Sequence, residues 1–63
     1  MKKSIAEAMQ RAQQQSAEHP GVIVRVMDKP RKHAIVTASE WVYKERILDG
    51  YVTVAVFKDG KEV

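Results

Sequence analysis

Only two imidazole bases, His19 and His33, are present in this 63-residue chain, and cysteine is absent. The missing thiols exclude disulfides, thiolate metal sites and cysteine nucleophiles together. His33 follows Arg31 and Lys32, so a base beside a phosphate clamp is the one enzymatic arrangement on offer. His19 precedes Pro20 at the end of a helix-forming stretch, where the helix dipole favours a cation. Ser4, Thr37 and Ser39 stand in helix-start patterns rather than in a nucleophile elbow. No three His, Asp or Glu residues fall at metal spacing. Gly21, Gly50 and Gly60 are isolated and build no phosphate-cradling loop. We therefore expect no enzyme, no metal and no cofactor.

The charge is more informative. Between residues 25 and 33, Arg25, Lys29, Arg31 and Lys32 oppose Asp28 alone, and this segment carries the whole net charge of +3. A basic hairpin tip can follow a phosphate backbone, and Arg can grip phosphate or a guanine edge with two hydrogen bonds. Arg25, Lys29, Arg31, Lys32 and His33 are thus candidate nucleic-acid contacts, with Tyr51 and Phe57 as stacking platforms. Four basic residues in a loop are also ordinary solubilising chemistry, and no RNP1, GXXG or zinc-finger pattern is present. Nucleic-acid binding therefore ranks second to protein contact.

The elements that must carry these side chains are legible from periodicity. Residues 3–17 are rich in Ala, Gln and Glu, with Ile5, Ala8, Met9 and Ala12 at helical spacing. Ser4 and Glu7 form a capping-box pattern with Ser4 at the N-cap. The stripe is narrow and mostly alanine, which predicts a loosely packed helix. Residues 22–27 and 33–36 read as strands joined by a hairpin loop containing Pro30. Thr37 and Glu40 form a second capping box, with Val36 and Trp41 as a hydrophobic staple that makes Trp41 a core anchor. Asp49-Gly50 stops that helix. Its apolar arc (Trp41, Val42, Ile47 and Leu48) is wide for so short a helix, which predicts cover on more than one side. Residues 51–57 are a strand, and Asp59-Gly60 is a hairpin-turn signal with only a vestigial return after it.

Residues 1–63 make a single α+β domain, an N-terminal helix followed by a ββαβ core over residues 21–63. The expected form is a two-layer sandwich in the order helix, strand, strand, helix, strand, with a three-stranded, mainly antiparallel sheet in strand order 3-1-2. The stripes Val22, Val24, Val26 and Val52, Val54, Val56 would make one apolar face beneath the second helix. Ile23, Met27, Tyr51, Ala55 and Phe57 would make the other. Three occupants compete for that second face: the first helix through Ile5 and Met9, a second subunit, or a ligand.

The leading functional expectation is a small binding protein acting by protein contact or as a homodimer. Its contact residues would be Ile23, Met27, Tyr51, Phe57, Ile5 and Met9. A chain this short buries only about 60% of its unfolded surface and has no covalent staple, which favours a second copy. No apolar run approaches the roughly 18 residues of a membrane span. Glu7 and Arg11 interrupt the stretch where an export signal needs apolar residues. A cytoplasmic location without membrane contact is the expectation.

Overall fold

Strong helix formers wind into α1 (Lys3–Glu18) in the computed structural model, which describes residues 2–63. Strands β1 (Val24–Asp28) and β2 (Ile35–Thr37) follow, then α2 (Glu40–Leu48), β3 (Val52–Lys58) and β4 (Lys61–Glu62). The sheet is antiparallel throughout, in the order β2-β1-β3-β4. The expected three strands become four, because Lys61–Glu62 pairs with Phe57 and Lys58. Asp59 and Gly60 both have positive φ, 54° and 80°, the signature of a two-residue type I′ turn whose twist matches its strands. The return strand through this turn is only two residues long. β1 is central, as its apolar composition implies. No helix among the described residues is long and apolar enough to cross a membrane.

The covering of the sheet reverses the expectation. Residues directly opposite in an antiparallel pair share a face. Val24 lies opposite Phe57, Arg25 opposite Val56 and Val26 opposite Ala55, so over this stretch even-numbered β1 residues share a face with odd-numbered β3 residues. A single face of Val24, Val26, Val54 and Val56 is therefore ruled out by register. The register slips between Val26 and Met27, where β3 holds an extra residue, Val54. Val54 is 42% exposed.

The helix on the Val24/Val26 face is α1, and α2 is elsewhere. Ala8 and Ala12 are fully buried in one cluster with Val24, Val26, Ala34, Ala55 and Phe57, and Ile5, Met9 and Val36 pack against it. The alanine stripe that suggested weak attachment has the opposite effect. Small side chains at Ala8, Ala12 and Ser16 let the helix backbone approach the sheet, and all three are fully buried. Ser16 Oγ accepts from Gly60 N at 3.0 Å and donates to Gln13 O at 2.9 Å. Gln13 Nε2 donates to Gly60 O at 3.1 Å, so the β3–β4 turn is fastened to the far half of α1.

Both helix starts also differ from the capping-box reading. α1 begins after Lys2, whose carbonyl accepts from Ile5 N and Ala6 N, with no side-chain cap. Ser4 Oγ instead accepts from Ala34 N at 3.2 Å, tying α1 to the hairpin loop. α2 is capped by Ser39, whose Oγ accepts from Val42 N at 3.3 Å. Thr37 is a strand residue whose Oγ1 accepts from Ser39 N. The cap lies two residues later than the expected box, and the staple is lost with it. The α2 stop is as expected: Gly50 at φ 99° follows the Asp49 cap, with Gly50 N bonded to Ile47 O and Tyr51 N to Arg46 O.

Candidate binding surfaces

Alternation along β1 decides what the basic residues can do. Arg25 lies between two residues buried beneath α1, so it points to the other face of the sheet. There its Nη1 lies 2.6 Å from Glu40 Oε1, and its guanidinium carbon sits 3.9 Å from the centre of the Tyr43 ring. Both partners belong to α2. This helix therefore leans against the face opposite α1, held partly by a stacked ion pair. Arg25 serves packing between elements.

Lys29 is occupied in the same way. Its Nζ donates to Asp49 O at 2.6 Å and lies 5.8 Å from the centre of the Tyr51 ring. A cation at a helix C-terminus meets the unpaired carbonyls and the negative dipole end. The hairpin loop is pinned from its other side by Lys2, which sequence reasoning did not single out. Lys2 Nζ bonds Asp28 Oδ1 at 2.9 Å, Lys29 O at 3.1 Å and Lys32 O at 2.9 Å. No short-range signal links Lys2 to a loop 26 residues away. Arg31, Lys32 and His33 remain exposed at the tip, without an ion-pair partner among the described residues. Arg31 has φ 67°, in the left-handed region that a tight turn uses.

The residues considered for protein contact are divided between the two sheet faces. Phe57 is 5% exposed and lies in the α1 cluster, with Ile5 and Met9 packed against it. Of the three expected occupants of the Phe57 side, α1 is the one present. Met27 is fully buried but outside that cluster, on the α2 side by alternation. Ile23 and Tyr51 are half-buried. Tyr51 and Phe57 therefore do not form a shared platform for bases.

The open apolar surface lies on α2. No α2 residue is buried. Successive helix residues turn by about 100°, so half-buried Val42, Tyr43 and Arg46 mark the inner side. Trp41 and Leu48, seven residues apart, lie one above the other on the opposite, outer side. They are 75% and 90% exposed. Lys44 and Glu45 flank this stripe, one on each side. Both are exposed, and neither has an ion-pair partner among the described residues. Ile47 is 45% exposed beside them. The expected staple placed Trp41 inward; with Ser39 as the cap, Trp41 is the second helical residue and faces away from the sheet. The one signal that could have found this surface was the over-wide apolar arc of the helix.

Among the described residues there is no enclosed pocket and no cluster of three His, Asp or Glu that could hold a metal ion. No family model, no curated protein and no solved structure matches the chain.

Proposed function

We propose that this chain is a non-enzymatic binding protein that docks another polypeptide on the outer side of α2. The observation that carries this reading is a tryptophan and a leucine held in water on one helix stripe by a fold that buries neither. Single exposed apolar residues are ordinary, but two large ones aligned on one helix are what a helix-in-groove contact uses. Tryptophan is also enriched among residues that dominate binding energy. A photo-crosslinking side chain at position 48 in cells producing the protein should give one discrete adduct. The same group at exposed Gln10 of α1 should give none, and adding Trp41→Ala should abolish the adduct. No adduct from position 48 would refute the docking role.

A second reading is favoured by the unpaired tip. Arg31, Lys32 and His33 project from the end of the molecule where α1 begins, beside the bond from Ala34 N to Ser4 Oγ. Weak, sequence-independent binding to nucleic acid would use these groups. With Arg25 and Lys29 engaged inside the fold, few phosphates are contacted. We expect log affinity to fall against log salt with a slope of only about −2 for duplex DNA. Replacing Arg31 and Lys32 with alanine should remove it. Fluorescence anisotropy with a labelled duplex and a labelled single strand measures this, and a flat titration at the lowest salt would exclude it.

A further inference from the structure

Resting on the docking role of α2, we infer that the polypeptide it takes is a second copy of this chain, packed parallel along α2. The charges beside the apolar stripe select both the occupant and its direction. In a parallel pair related by a twofold axis along the helices, one flank of each helix meets the opposite flank of the other. Lys44 then faces the partner's Glu45, and Glu45 faces the partner's Lys44. Trp41 stacks against the partner's Trp41, and Leu48 packs on the partner's Leu48. In an antiparallel pair like flanks meet, so Lys44 would face the partner's Lys44 and Glu45 the partner's Glu45. Like charges side by side are unfavourable. The surface is therefore self-complementary in one orientation only.

The size of the surface sets the strength. A standard interface takes about 800 Å² from each partner, close to a fifth of this chain's 4359 Å². A nine-residue helix is about 13 Å long and supplies less than that. The dimer belongs to the small, exchanging class, with micromolar or weaker affinity at physiological ionic strength.

Trp41 is the sole tryptophan and reports directly on the contact. Diluting the wild-type chain should shift its emission to the red as the sedimentation mass falls from dimer to monomer. Lys44→Glu and Glu45→Lys should each weaken association by about tenfold or more, since every flanking pair becomes repulsive. Both positions are exposed, so both variants keep the fold. Mixing the two variants should restore association, because each flank again meets its opposite. Leu48→Cys, in a chain with no other cysteine, should oxidise to a disulfide-linked dimer. In the antiparallel arrangement the two copies of position 48 stand about 10 Å apart along the axis, beyond disulfide reach. A wild-type chain that stays monomeric at its highest soluble concentration overturns the self-pairing. So do variants that associate as the wild type does, or a mixture that fails to recover. An adduct at position 48 to a different protein would overturn the self-pairing and leave the docking role standing.

Discussion

Phe57→Ala should cost the fold a large part of its stability. Phe57 is 5% exposed, stands opposite fully buried Val24, and belongs to the cluster that α1 covers. Truncating a buried phenylalanine costs about 3–5 kcal/mol, through lost burial and the cavity left behind. Native stability runs at roughly 0.05–0.15 kcal/mol per residue, so a domain of this size holds only about 3–9 kcal/mol in all. The substitution removes between about a third and all of that. Far-UV circular dichroism with urea titration gives the answer, and a loss below about 1 kcal/mol would contradict the packing described. Trp41→Ala is the informative contrast. It deletes a larger aromatic side chain, yet Trp41 is 75% exposed. Measured on dilute protein, its cost should stay within about 0.5 kcal/mol. The bigger side chain matters less to the fold because water already surrounds it, which leaves it free for a partner.

Ala12→Leu should destabilise by about 1–3 kcal/mol, although it replaces one strong helix former with another. The helical preference barely changes, so the cost is steric. Ala12 is fully buried midway along the Ala8–Ala12–Ser16 stripe, where α1 lies close on the sheet. A leucine there must push the helix away, loosening the Val24 and Phe57 contacts together with the Ser16 bond to Gly60. Ala6→Leu, on the exposed side of the same helix, should be nearly silent. Thermal melts of the two variants side by side separate packing from propensity. Equal melting temperatures would mean that α1 is only loosely seated.

Some of this architecture was written into short stretches of chain. Gly50 ends α2 because a left-handed residue after the cap needs no side chain, and Asp59-Gly60 turns the last hairpin for a related reason. These choices depend on the φ of one or two residues and are readable in place. The helix-forming content of α1 and the central place of β1 are of the same kind. Charge was also countable: the excess lies between residues 25 and 33 wherever the chain goes.

Other properties were settled only when distant segments met. The parity of β1 against β3 put Val24 with Phe57, and a one-residue difference would have exchanged every partner across the pair. Two helices had apolar residues to offer, and the choice of α1 over α2 as cover rested on close approach, which composition does not express. Arg25 and Lys29 are basic in sequence, and only the fold brings Glu40, Tyr43 and the Asp49 carbonyl beside them. The outward stance of Trp41 follows from a cap at Ser39 and from which side of α2 found the sheet. Local backbone preferences act over a few residues and can be read one turn at a time. Face, register and the pairing of charges depend on contacts between residues far apart in sequence, and these exist only once the chain has folded.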